Sequence, residues 1–137
     1  MTKLQYKIVH ELPAVQDYLR LRKESGLSEK SIEAAERGLK NSLFAVSIYD
    51  RENLIGMGRI IGDNGCFYQI VDIAVDPHYQ GQGLGQLIMK EIMDYLENNA
   101  PKSAYVSLIA DAPANKLYEK FGFAYTYPKS HGMYKKY

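Results

Sequence analysis

A chain of 137 residues is long enough for one domain that buries roughly two thirds of its unfolded surface, so neither disulfides nor a structural metal is needed to hold it. With 46% apolar residues, 24% charged residues and a net charge of +1 spread over interspersed acids and bases, it lacks the electrostatic footprint that binding to nucleic acid or a membrane surface calls for. No apolar run approaches the roughly 20 residues that span a bilayer, the start MTKLQYKIVHELP has no signal-peptide core, and the lone Cys66 completes the pattern expected of a cytoplasmic protein.

Lys3 to His10 alternates loosely and predicts a first strand, ended by Glu11-Leu12-Pro13. Proline suits a first helical turn, and Leu12, Val15, Tyr18, Leu19 and Arg22 then keep helical spacing as far as Ser25-Gly26. Ser28 is placed to cap a second helix with Ile32, Ala35 and Leu39 on its buried face. Leu43 to Tyr49 and Leu54 to Ile61 read as strands joined by the polar turn Asp50 to Asn53, and Asp63-Asn64-Gly65 is a second hairpin signal before a strand starting at Cys66.

That strand runs into the most informative stretch. Ile70 to Val75 is aliphatic apart from Asp72, which suits a strand covered on both faces, and Asp76-Pro77 ends it because proline cannot donate to a ladder. Gly81, Gly83 and Gly85 follow at alternate positions, so the backbone there is free to take positive φ and turn its N–H groups toward one concave spot. Leu84, Leu87, Ile88, Ile92, Tyr95 and Leu96 then mark a helix whose N-terminus opens inside the glycine run, a setting made for an anion and most naturally a diphosphate. The dinucleotide fingerprint fails because Gln86 stands where its third glycine belongs, and a nucleotide-hydrolase loop fails because Lys90 lies too far into the helix.

Asn98 to Pro101 stops that helix, Ser103 to Ile109 reads as a buried strand, and Asp111 is placed to cap a short helix with Pro113 in its first turn. Ala124 to Tyr127 and Gly132 to Tyr137 remain as a terminal pair of strands around the loop Pro128 to His131. Strands interrupted by helices predict an α+β or mixed α/β class, in a single domain over residues 1–137.

Gln80-Gly81-Gln82-Gly83-Leu84-Gly85 resembles the Gln/Arg-x-x-Gly-x-Gly/Ala signature of the GNAT superfamily of N-acetyltransferases, and Val71 to Pro77 resembles the strand and turn that precede it. Asp111 to Phe123, with Asn115-Lys116-Leu117-Tyr118 and a closing Gly122-Phe123, resembles the family's other signature about thirty residues on. The same stretch before the helix is also similar to that of glucosamine-6-phosphate acetyltransferases; this likeness concerns the coenzyme half and leaves the acceptor open. The resemblance implies a mixed, mostly antiparallel sheet of seven strands and about four helices, splayed between the fourth and fifth strands. It also implies acetyl-coenzyme A as co-substrate, with no metal.

On the same resemblance, Gln80, Gly81, Gln82, Gly83, Leu84, Gly85 and Gln86 would hold the diphosphate, and Ile73, Ala74, Val75, Asn115 and Tyr118 would meet the pantetheine arm and sulfur. Tyr118 and Asp72 are the candidate catalytic residues. A phenol near about 10 donating outright to a thiolate of about 8.5 is uphill by about 2 kcal/mol, so Tyr118 is expected to hydrogen-bond the leaving sulfur while keeping its proton. Asp72 has two open readings: a general base acting through water, or a carboxylate satisfied by backbone or by an arginine such as Arg59. Cys66 reads as a buried structural thiol and not as a nucleophile.

The acceptor is expected across the splay, near Tyr18, Tyr68, His131, Met133 and Tyr134. The three histidines lie in separate segments without ligand spacing. The function implied is direct acetyl transfer to a primary amine, with a small molecule as partner and a homodimer left open. The alternative is a coenzyme-binding sensor or partner module that kept the fold without turnover.

Overall fold

The computed structural model describes residues 6–111 and 114–137. Five strands form one sheet in the order β1 (Lys7–Val9), β2 (Phe44–Asp50), β3 (Asn53–Gly62), β4 (Phe67–Val75) and β5 (Tyr105–Ser107). Neighbours run antiparallel except β4 and β5, which are parallel. Helices α1 (Val15–Glu24) and α2 (Ile32–Leu39) cover one face and α3 (Leu84–Asn99) the other, while the short α4 (Asn115–Glu119) packs against the α3 layer. This is the mixed, mostly antiparallel architecture that the resemblance implies, with five strands among the described residues where seven are expected.

The two faces carry separate cores. Ile88, Met89, Ile92 and Leu96 of α3 pack on Val46, Ile48, Ile55, Ile60 and Ile70, and each such aliphatic side chain contributes about 1.5–3 kcal/mol by leaving water. Gly58 permits the close approach of α3, since a Cβ there would lie 2.7 Å from Ile88 Cγ2 and 3.0 Å from Ile92 Cδ1. On the other face Tyr18, Leu21, Ala35 and Leu39 pack on Leu54, Met57 and Ala74. The amides of Asn98 and Asn99 end α3 by donating back to the carbonyls of Asp94 and Tyr95 at 2.8 Å.

Several sequence expectations need correction. Ser31, not Ser28, caps α2, its Oγ accepting from the Ala34 N–H at 3.0 Å, and Ile32 is exposed because it precedes the first turn that meets the sheet. Residue Asp111 does not cap α4, which starts at Asn115 after Ala114; Pro113, like Lys3 at the start of the expected first strand, lies outside the described residues. Strand β5 is shorter than Ser103 to Ile109 and only half buried, since it stands at the sheet edge. Neither terminal strand is present among the described residues: Ala124 to Tyr137 contributes no ladder. Cys66 is exposed at the end of the β3–β4 hairpin instead of buried.

The most consequential correction concerns Asp72. Regular alternation would put it on the face of Ile70, but its φ of +61° and the register shift opposite Met57 and Arg59 mark a β-bulge. Aspartate tolerates this left-handed conformation better than most residues. Past the bulge the faces exchange: Ile70 and Ile73 look to the α3 core, while Asp72 meets α1 and Ala74 joins the opposite core.

Candidate active site

Two elements that the sequence ties to chemistry meet at α4. The first is the loop from β4 into α3. Asp76 fixes its start, accepting the His78 N–H at 2.9 Å in a single 3-10 turn over Pro77–Tyr79, and Gln80 donates to the Val75 carbonyl at 3.2 Å. Gly81 and Gly83 then take φ of +81° and +83°, and a Cβ on either would project into open space. The first helical bond runs from the Leu87 N–H to the Gly83 carbonyl, so the N–H groups of Leu84, Gly85 and Gln86 have no acceptor in α3. Gln82 is held from the side by the Tyr6 hydroxyl at 2.9 Å, and buried Leu84 anchors the helix start. Gly85 faces α4, its Cβ position 3.5 Å from Leu117.

The second element is a cleft of about 540 Å³ between β5 and α4. Tyr105 to Ala110 form one wall, Asn115, Tyr118 and Glu119 of α4 another, and Phe121 to Thr126 the rest. Strands β4 and β5 pair only from Phe67 to Gln69 against Tyr105 to Ser107 and then part, which is the expected splay. Beyond Gln69 the β4 edge facing away from β3 has no ladder partner among the described residues, leaving the backbone of Ile73, Ala74 and Val75 open on that side. The Ala74 side chain itself is buried in the α1–α2 core, so only its main chain is accessible.

Asn115 has an unusual environment. Its Nδ2 donates to the Tyr125 hydroxyl at 2.5 Å, and that hydroxyl donates to Glu119 Oε1 at 2.8 Å, but the buried Asn115 Oδ1 has no donor among the described residues. A buried amide oxygen without a donor costs about 1–3 kcal/mol, and an amide N–H from a ligand would relieve it. Pantetheine carries amides of that kind, so these residues fit the coenzyme. One turn along, Tyr118 has its phenol pushed above the ordinary tyrosine range by burial and then by the nearby Asp111 carboxylate, so it stays protonated as a donor.

Asp72 sits elsewhere, on the α1 side of the bulge, as the hub of a buried network. Its Oδ1 accepts from Arg22, and its Oδ2 accepts from the Tyr18 hydroxyl at 2.6 Å and Arg59 Nε at 2.7 Å. Arg22 also donates to Ser28, and Arg59 to the Gly38 carbonyl and the Ser42 hydroxyl. The pairing with Arg59 is therefore present, and Arg22 joins it. In the sequence Arg22 has only a place in a helical spacing; the signal for its role is a charged residue on the apolar stripe of α1, opposite a strand carboxylate. Burial and the Asp72 contact raise the Tyr18 phenol above its usual range.

Two of the acceptor candidates are buried. Tyr18 is 3% exposed within the Asp72 network, and Tyr68 is 1% exposed in the α3 core, its hydroxyl donating to Asn64. His131, Met133 and Tyr134 lie in the exposed C-terminal segment. Among the described residues no three His, Cys, Asp or Glu side chains gather as a metal site, and no helix is long and apolar enough to cross a membrane.

With this geometry in place, the sequence profile of an acetyltransferase (GNAT) domain matches residues 23–132. The chain belongs to the GNAT acetyltransferase family. Its fold superposes with a TM-score of 0.94 and 56% identity on a protein of unknown function from meticillin-resistant Staphylococcus aureus, a probable acetyltransferase, covering 97% of this chain and 100% of that one. The ribosomal protein bS18-alanine N-acetyltransferase of Escherichia coli is 30% identical over 97 residues, 70% of this chain and 63% of that protein. Glucosamine-6-phosphate N-acetyltransferase from Arabidopsis thaliana shares the fold at a TM-score of 0.68 and 19% identity, over 97% of this chain and 99% of that one. This GNAT chain spans about half the length of the curated relatives it matches.

Proposed function

We propose that this GNAT chain transfers an acetyl group from acetyl-coenzyme A directly to the nitrogen of a small primary amine. The observation that carries the reading is the Asn115 amide oxygen, without a donor among the described residues, beside Tyr118 in a cleft whose α4 wall touches the glycine loop. The backbone from Gln80 to Gln86 would hold the diphosphate, Asn115 would accept from a pantetheine amide, and Tyr118 would donate its hydroxyl hydrogen bond to the leaving sulfur. When bound, acetyl-coenzyme A supplies an acyl thioester for attack by the amine. Holding both substrates together supplies much of the acceleration by proximity.

Asp72 is a positioning residue in this reading. Both oxygens are engaged by cations and a phenol, so it holds the bulge and α1 in place, and the amine loses its proton to water. Exposed Cys66 precedes β4 at the end opposite the glycine loop, nine residues or about 30 Å away along the strand, which favours direct transfer over an acyl-enzyme.

The cleft volume is of the size that small-molecule sites have. The relatives act on both kinds of acceptor by name, a ribosomal protein and an amino sugar phosphate. Thiol release from acetyl-coenzyme A should therefore be measured with a panel of small amines and with peptides bearing free N-termini. Release with a small amine is expected. Release with peptides alone would move the acceptor class, and tight coenzyme binding without release on any amine would make the chain a coenzyme-binding sensor or partner module.

A further inference from the structure

The loop from β4 into α3 has little packing of its own to hold its shape. Residues Gln80 to Gly83 are exposed, and a Cβ at Gly81 or Gly83 would meet no atom of the described residues within 4 Å, although both glycines take positive φ. Glycine loses more conformational freedom on ordering than any other residue, so a loop that presents its N–H groups in one arrangement needs ties from outside. Two tyrosines provide them. Tyr79 closes the 3-10 turn just ahead of the glycines, and its hydroxyl donates to Asp50 Oδ2 at 2.6 Å. The Gln82 side chain springs from between Gly81 and Gly83, and its Oε1 accepts from the Tyr6 hydroxyl at 2.9 Å. The two tyrosine rings meet edge to face with centroids 5.7 Å apart, and both pack against the α3 core.

The far ends of these bonds lie on the sheet. Asp50 ends β2 and pairs with Asn53 across the two-residue turn Arg51-Glu52, where Arg51 takes a φ of +59°. Tyr6 precedes Lys7, which pairs with Tyr49, so Tyr6 and Asp50 come next at that end of the β1–β2 ladder. We infer that Tyr6, Asp50 and Tyr79 are positioning residues for the coenzyme: acting through Gln82 and the 3-10 turn, they hold the Gln80 to Gln86 backbone in its diphosphate-accepting shape before the coenzyme arrives. A loop already in the competent shape escapes the ordering cost at binding, so loss of a tie is read as weaker affinity, in proportion to the fraction of molecules that stay competent. Asp50 makes the inference sharp. Its negative charge opposes a bound diphosphate, so it favours binding only through the hydrogen bond that it accepts from Tyr79.

This deepens the proposed reaction and rests on its placing the diphosphate on the glycine loop. The test compares the intact chain with Tyr6→Phe, Tyr79→Phe, Asp50→Ala and Asp50→Asn. Calorimetric affinity for coenzyme A should fall about fivefold in Tyr6→Phe, whose bond is exposed, and about tenfold in Tyr79→Phe and Asp50→Ala, while Asp50→Asn, which keeps an acceptor oxygen, should stay within about threefold. Charge alone would make Asp50→Ala bind more tightly, so the direction of its change separates bracing from electrostatics. Melting temperatures should stay within a few degrees. In the free proteins, hydrogen exchange should quicken severalfold in Tyr79→Phe and Asp50→Ala at the Leu87 amide, which bonds the Gly83 carbonyl at 3.1 Å, and not at Ile92 in the middle of α3. Unchanged or tighter binding in either of those two variants, or unchanged exchange at Leu87, would overturn the brace. An intact chain that binds no coenzyme A would instead sink the acetyltransferase reading, and exchange at Leu87 would still decide whether the tyrosines hold the loop.

Discussion

Asp72 shows how one residue in an improbable conformation organises its surroundings. A left-handed aspartate within a strand is costly unless neighbours fix it, and here Arg22, Arg59 and Tyr18 do so from α1 and β3. Asp72→Asn would leave two buried guanidiniums facing an amide, so stability should fall by about 3–5 kcal/mol. Denaturant titration measures that loss, and a change below about 1 kcal/mol would mean the hub is solvated. Tyr118 makes the opposite case, since its hydroxyl has no hydrogen-bond partner among the described residues. Because burial keeps the phenol protonated, Tyr118→Phe removes a donor and little else. Turnover should drop about 100-fold, the scale of one lost transition-state donor, while coenzyme affinity measured by calorimetry stays within about twofold.

At the scale of elements, the glycine loop and the bulge differ in how openly the sequence announces them. Gly81 and Gly83 lack a Cβ and are free to take positive φ, and the structure takes both there, while Gly85 at the same spacing lies inside α3. Open space surrounds Gly83, so Gly83→Val meets no clash and its cost is conformational, about 1–2 kcal/mol. The fold should survive with a slightly lower melting point while coenzyme binding is lost. Retained affinity would remove the loop from the site. The bulge was harder to read because strict alternation assumes unbroken pairing, and only the odd carboxylate among Val71, Ile73 and Ala74 signals an interruption. Similarly, Ala124 to Tyr137 has strand composition but joins no ladder, because a strand forms only against an edge and local pattern does not supply one.

At the scale of the whole molecule, helices on both faces of one sheet were legible from apolar spacing, and the motifs at Gly81 to Gly85 and Asn115 to Tyr118 located the coenzyme side. The acceptor side was not legible, since Tyr18 and Tyr68 look alike as free or packed rings until the two cores exist. Burying those rings has a consequence at high pH. Tyr18 and Tyr118 both hold their protons more tightly in the fold than the ordinary value of 10.0. Below about pH 10 both folded and unfolded chains keep these protons, and their contribution to stability is complete. Above it the unfolded chain releases them first, so stability falls as pH rises through the folded values, by at most about 1.4 kcal/mol per pH unit for each proton. Lysines titrate in the same range, so the intact protein alone does not isolate the effect. Comparing it with Tyr118→Phe does: unfolding midpoints should agree up to about pH 9, and the variant should then lose stability less steeply, because one of the retained protons is gone. Identical slopes from pH 9 to 11 would mean that the Tyr118 hydroxyl is as free to ionise in the fold as in the unfolded chain, and that it is not buried beside Asn115.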